Sequence, residues 1–331
     1  MLLFGLILAF LLDFAMPLFS LPSDASETLK MEERHLQFAG LDRTYVLYLP
    51  PTYDGKKNLP LLFLLHGGGG IGKRMVGFTG FDQIASKEGL IIVCPNGYER
   101  HWNCGRENTG YKAHEKKIDD VGFISFLLSS LTKELKVDSS RVYVSGISNG
   151  AMMSYRLGLE IPDKIAAIAP VVGALPEPFS KLSWTGRPLP AIIINGTKDP
   201  LVPFNGGDVH FYRRKLGRVI SVPQTVEFWA KHNKCNASPT VTELHFDHSK
   251  SGLNVSKTEY KSCCNDADIE FYAVEGGGHT WPRDSRMAQY LPAAVIGKAC
   301  RDIDASVLIW DFFKKHSLSA NLSQSSSKQE N

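Results

Sequence analysis

Hydrophobic positions follow two rhythms that alternate along the chain. The runs at 59–65 (LPLLFLL), 90–94 (LIIVC), 165–172 and 191–194 are short and almost wholly apolar. Such runs mark strands buried on both faces of a parallel sheet, because covering helices leave them no polar side. Between them lie stretches of helical period. Residues 81–88 make one. Residues 120–135 make the longest, with Val121, Ile124, Leu127, Leu128 and Leu131 on one stripe and Asp119 or Asp120 placed to cap it. Helices are predicted again over 149–159, 222–232 and 305–316, the last capped by Asp304. Segments 35–39 and 43–49 flank Gly40-Leu41-Asp42 and read as a hairpin, and 269–274 reads as a further strand. Strands alternating with helices predict an α/β fold with a mostly parallel central sheet and helices on both faces.

In such sheets, sites collect at the C-terminal ends of the strands. Four groups of unusual residues fall there: His66-Gly67-Gly68, Ser148, Asp199 and His279. Ser148 lies in Gly146-Ile147-Ser148-Asn149-Gly150, between the β-branched run at 141–145 and a small-residue helix. This is G-x-S-x-G in its strand–turn–helix setting, a sharp turn that exposes the hydroxyl above the sheet. Side chains at 146 and 150 would obstruct the chain that passes close by.

A serine hydroxyl needs a base to take its proton, and the base needs a carboxylate to orient it. Of the ten histidines, His66 merely opens the glycine loop after 59–65, whereas His279 lies inside the glycine-rich loop after 269–274 and is the candidate base. His101 and His114 lie in the loop after Cys94, placed to rim a site, and His66 is expected to make a structural hydrogen bond. Asp199 ends the loop after 191–194, whereas Asp163, Asp208, Asp247, Asp266 and Asp268 sit in turn-like or polar contexts. The order Ser148, Asp199, His279 is that of an α/β-hydrolase. Ester cleavage also needs two N–H donors for the oxyanion. Asn149 is expected to supply one and the Gly67–Gly70 loop the other, at Gly68. The constellation calls for an ester substrate and for no metal or cofactor. Two other readings use the same residues: a binding protein on a catalytically inactive esterase fold, and a serine peptidase or thioesterase.

Composition adds the compartment. A net charge of +3 in 331 residues, with no basic run, gives no reason to expect nucleic acid. The first 20 residues are almost wholly apolar, and Ser23-Asp24-Ala25 follows with small residues, so residues 1–25 read as a signal peptide, with a signal anchor as the alternative. Once that segment is cleaved, no stable membrane association is expected. Six cysteines suit an oxidising compartment, with up to three disulfides. Cys94 reads as a buried free thiol, and adjacent Cys263 and Cys264 are expected to serve different partners, leaving the pairing of Cys104, Cys264 and Cys300 open. Asn236, Asn254 and Asn321 begin glycosylation sequons in polar stretches; Asn195 begins one too, but it ends a buried strand and is expected to stay unmodified. A catalytic domain over 30–316 and a disordered polar tail over 317–331 complete the expected organisation of a secreted protein, its oligomeric state left open.

At this point a resemblance enters. HGGGG (66–70), DDVGFI (119–124), GISNGAMMSYRL (146–157), GTKDPLVPF (196–204), GGGHTWP (276–282) and RDIDASVLIWDFF (301–313) occur in this order. Together they resemble the secreted polyhydroxybutyrate depolymerase and feruloyl esterase-like family of α/β-hydrolases, from about residue 34 to 316. The resemblance implies the triad Ser148, Asp199 and His279, a disulfide between Cys235 and Cys263, and aromatic residues Trp102 and Trp281 near the site as walls for substrate. It implies hydroxyalkanoate, feruloyl or acetyl esters as substrates, with soluble esters or oligomers favoured over solid polymer.

Overall fold

A computed structural model describes residues 30–285 and 291–318. The expected signal peptide, Asn321 and nearly all of the polar tail lie outside them. Ten strands form one sheet. The chain enters through an antiparallel hairpin, β1 (Lys30–Phe38) and β2 (Leu41–Leu49), which turns at Ala39 and Gly40, both at positive φ. Strand β2 runs antiparallel to β4 (Ile91–Pro95). From there the sheet is parallel: β4, β3 (Leu59–Leu65), β5 (Val137–Ile147), β6 (Ala167–Val171), β7 (Ala191–Gly196) and β12 (Ile269–Glu275). Strands β11 (Asn254–Tyr260) and β10 (Thr240–Leu244) continue it antiparallel. A separate hairpin, β8 (Gly207–Phe211) and β9 (Arg214–Val219), rises from the loop after β7.

The apolar runs are strands for the reason their composition suggests. Successive side chains of β3 enter opposite cores: Leu61, Phe63 and Leu65 one, Leu62 and Leu64 the other. The first core is closed by α2 (Asp120–Glu134), α3 (Asn149–Glu160) and α4 (Val222–His232). The second is closed by α1 (Phe81–Glu88) and α5 (Ala305–Phe313). The two candidate caps of α2 divide the work. Asp119 accepts from the Gly122 N–H at 2.8 Å, while Asp120 is buried and paired with Arg43 at 2.6 Å. Among the described residues no helix is long and apolar enough to cross a membrane.

Of the cysteines, Cys235 and Cys263 form a disulfide. Cys94 is buried and free, Cys104 and Cys300 are also buried and free, and Cys264 is free and exposed. Asn236 and Asn254 are exposed, whereas Asn195 is buried with its amide donating to Gly173 O at 3.0 Å.

Candidate active site

Ser148 stands between β5 and α3 with φ 58° and ψ −116°. This is the left-handed side of backbone space, costly for a serine and held only by its surroundings. Two glycines allow it. A methyl group on Gly146 would lie 2.6 Å from the Gly150 carbonyl carbon, and one on Gly150 would lie 2.5 Å from Leu65 O. The chain therefore turns back on itself at contact distance, and the Ser148 N–H is tied to Val171 O at 3.0 Å.

His279 and Asp199 meet at the ends of two other strands of the same sheet. Asp199 follows β7 and His279 follows β12, its parallel neighbour, so adjacent strand ends deliver the two side chains together. The His279 Nδ1–H donates to Asp199 Oδ2 at 2.6 Å, and both side chains are buried. The other carboxylate oxygen, Oδ1, accepts from the Leu201 and Val202 N–H groups at 2.8 and 2.9 Å. A carboxylate accepting from Nδ1 sets the tautomer, because only the protonated nitrogen can donate. Nε2 is then a bare acceptor. It is buried and has no hydrogen-bond partner among the described residues.

The glycine loop after β3 lies against the serine. A methyl group on Gly67 would be 3.4 Å from both Ile147 O and Ser148 Cβ. The Gly68 N–H has no intramolecular acceptor among the described residues. Asn149 opens α3, so its N–H has no carbonyl one turn back within the helix to bond. Its side chain has a task that the sequence did not disclose. Oδ1 accepts from Trp102 N at 2.8 Å and Nδ2 donates to Trp102 O at 3.1 Å, clamping the loop after β4 onto the residue that follows the serine.

His66 holds the glycine loop from beneath. Nδ1 donates to Gly67 O at 2.7 Å and Nε2 accepts from the Gly97 N–H at 3.0 Å, the structural role expected for it. Burial pushes its pKa down to about 4. The folded state thus keeps His66 neutral where the unfolded chain would protonate it. Stability is full above the ordinary value of 6.5 and is lost progressively as pH falls toward about 4. That loss is on the order of 3 kcal/mol. His66→Gln should therefore be less stable than the parent at pH 7, with the gap in urea midpoint narrowing by pH 4.5. An equal gap at both pH values would refute this assignment.

Trp102 and Trp281 correct an expectation. Both are completely buried. The Trp102 indole donates to His66 O at 2.9 Å and its ring lies 5.0 Å from the His66 ring. The Trp281 indole donates to Ser306 Oγ at 3.1 Å and packs edge-on against Phe78 and Phe81. An indole whose N–H finds a partner and whose faces are covered is packing, not a pocket wall. In this structure the two residues are core packing and offer no surface to a substrate.

One cluster was invisible in the sequence. Cys104 is buried, yet Arg106 Nε donates to its sulfur at 3.3 Å and His114 Nε2 lies 3.6 Å away. Burial pushes the thiol up, but the Arg106 charge and the His114 bond outweigh it and bring the pKa down to about 6. A cavity of about 850 Å³ lined by Arg106, His114, Arg156 and Phe179 lies beside this loop and includes none of Ser148, Asp199 and His279.

The parallel sheet, with Ser148 at one strand end and the Asp199–His279 pair two and three strands further along, defines an α/β-hydrolase. Comparison with known proteins agrees. The model of the "Putative esterase" family matches residues 38–234, and the chain belongs to that family. It is 30% identical over 289 residues to "Putative esterase NocK" of Nocardia uniformis subsp. tsuyamanensis, covering 84% of this chain and 81% of that one. It is 26% identical over 243 residues to "Feruloyl esterase B" of Piromyces equi, covering 72% of this chain but 42% of the relative. It is 27% identical over 245 residues to "Probable feruloyl esterase C" of Aspergillus niger, covering 70% and 83%. Among solved structures, the acetyl xylan esterase from Aspergillus awamori superposes with a TM-score of 0.53 at 15% identity, covering 76% of this chain and 94% of that one. The protein is a carboxylic-ester hydrolase of the α/β-hydrolase fold.

Proposed function

We propose that this protein is a secreted serine esterase that works through an acyl-enzyme. The observation that carries the reading is the buried Asp199–His279 bond, which leaves Nε2 as an unsatisfied acceptor, with the strained Ser148 at the C-terminal end of β5 in the same parallel sheet. His279 Nε2 takes the proton as Ser148 Oγ attacks the ester carbonyl carbon. Asp199 holds the imidazole and stabilises its charged form. The N–H groups of Gly68 and Asn149 receive the oxyanion. As the tetrahedral intermediate collapses, His279 returns the proton to the departing alkoxide. Water, deprotonated by the same nitrogen, then releases the acid and frees Ser148. The substrates are soluble hydroxyacyl, acetyl or feruloyl esters, and no cofactor takes part in any step.

Secretion is supported by the Cys235–Cys263 disulfide and by the exposed sequon residues Asn236 and Asn254, together with the apolar leader. The test is a set of p-nitrophenyl esters and the corresponding anilides with matched acyl groups. Ester turnover with the anilides left intact is expected, along with fluorophosphonate labelling at Ser148. Preferential anilide cleavage would make the protein a peptidase, and failure to label or to turn over any ester would make it a binding protein.

A further inference from the structure

We infer that His101 and Tyr111 form a polar subsite for the acyl group, in which His101 Nε2 accepts a hydrogen bond from an acyl hydroxyl close to the ester carbonyl. This rests on the esterase reading above and narrows it to a substrate class.

The first observation is position. A methyl group on Gly68 would lie 3.3 Å from the Tyr111 hydroxyl oxygen, and 3.4 and 3.7 Å from Cδ2 and Nε2 of His101. Both side chains therefore border the residue proposed as an oxyanion donor. The second is orientation. The His101 Nδ1 atom is 2.8 Å from Glu99 O. A carbonyl can only accept, so Nδ1 carries the proton and Nε2 is an acceptor. Among the described residues nothing bonds to that Nε2. The ring is half-buried, and burial lowers its pKa, which favours the neutral acceptor form.

The third observation is rigidity. The His101 and Tyr111 rings stack with centroids 3.8 Å apart. The residues on either side of His101 are tied to the catalytic elements. Arg100 O accepts from the Gly69 N–H at 2.9 Å, and the Trp102 backbone is held at both N and O by the Asn149 side chain. Nε2 is thus registered against both the glycine loop and the turn after the serine, as a specificity group must be.

Strand order decides which half of the ester meets this pair. The loop that carries His101 and Tyr111 follows β4, whereas His279 follows β12. In the sheet order β4-β3-β5-β6-β7-β12, the serine strand β5 lies between them. His279 must reach the leaving oxygen to protonate it, so the alcohol half extends toward β12 and the acyl half toward β4. Distance then selects the acyl group. Nε2 borders the oxyanion donor itself, so a hydroxyl on the α or β carbon of a short acyl chain meets it. The phenol of a feruloyl group is separated from its carbonyl by a double bond and a whole ring, and it projects past this point. The Tyr111 hydroxyl beside Nε2 offers a donor to the same substrate oxygen.

The test uses the full chain and two matched pairs: p-nitrophenyl 3-hydroxybutyrate against butyrate, and p-nitrophenyl ferulate against its analogue lacking only the phenolic hydroxyl. One hydrogen bond to a neutral group corresponds to a preference of about 5–10-fold. The wild type should show that preference in kcat/KM for hydroxybutyrate over butyrate and little preference within the second pair. His101→Phe keeps a ring to stack on Tyr111 but has no acceptor, and it should bring the first ratio to about one. His101→Gln restores an acceptor and should recover part of it. Thermal midpoints of both variants establish that they fold. Three results would overturn the inference: no hydroxybutyrate preference in the wild type, equal losses on both esters in His101→Phe, or a change confined to the ferulate pair. If the wild type hydrolyses no ester at all, the esterase reading fails and this one falls with it, an outcome separate from turnover without preference.

Discussion

Ser148→Ala should reduce ester turnover by about 10⁴-fold or more while leaving the fold intact, because the nucleophile is lost and only the oxyanion donors and binding remain. The site argues for a clean effect. Ser148 makes no side-chain cap to α3, so removing its hydroxyl leaves no buried group without a partner. Its backbone strain is held by the Gly146 and Gly150 contacts, which alanine at 148 does not disturb. Initial rates on p-nitrophenyl butyrate, with the thermal midpoint as control, check this. Retention of more than about a hundredth of the activity would be incompatible with Ser148 as nucleophile, since loss of a nucleophile leaves far less.

Asp199→Asn should be nearly as damaging, for a reason the hydrogen bonds make specific. Oδ1 receives two backbone N–H groups, from Leu201 and Val202. An asparagine must present its carbonyl oxygen to those donors, so its NH₂ is turned toward His279 Nδ1. That nitrogen must then accept, the ring adopts the other tautomer, and Nε2 carries a hydrogen toward the serine when it should be bare. Loss of the correct tautomer costs about 10⁴-fold in kcat in a well-studied triad of this kind. The volume and the Leu201 and Val202 bonds are retained, so the folded protein should persist. An Asp199→Asn enzyme within about tenfold of the parent would mean that a different carboxylate orients His279, because tautomer loss is much larger.

Much of this protein was legible before any coordinates. The apolar runs at 59–65 and 191–194 became β3 and β7, and α2 and α4 lie where the periodicity placed them. These elements are buried on both faces or along a regular stripe, so their side chains record their surroundings directly. Strands β8 to β11 were missed for the opposite reason. They are partly or wholly exposed, as in the Thr240–Leu244 strand, whose residues are almost all open to solvent. Pairing holds them through the backbone, and backbone bonds leave no compositional trace. Trp102 and Trp281 show a further limit. A tryptophan next to a catalytic loop looks the same in sequence whether it faces substrate or supports the loop from below. Only the indole partners, His66 O and Ser306 Oγ, distinguish the two.

The order of chemical groups along the chain was determined by sequence alone: a glycine loop, a serine elbow, an aspartate and a histidine, each directly after a buried strand. Chain order requires no coordinates, because in a parallel sheet every strand end points to the same edge. What tertiary structure decided was which atoms meet there. It bonded Asp199 to His279, since β7 and β12 are neighbours although 80 residues separate the two side chains. It also turned the Asn149 amide into a clamp on Trp102 and set His101 Nε2 beside Gly68. Contacts of that kind depend on strand adjacency and on where a loop folds back. Both are settled by packing across the whole sheet, which no local pattern of residues encodes.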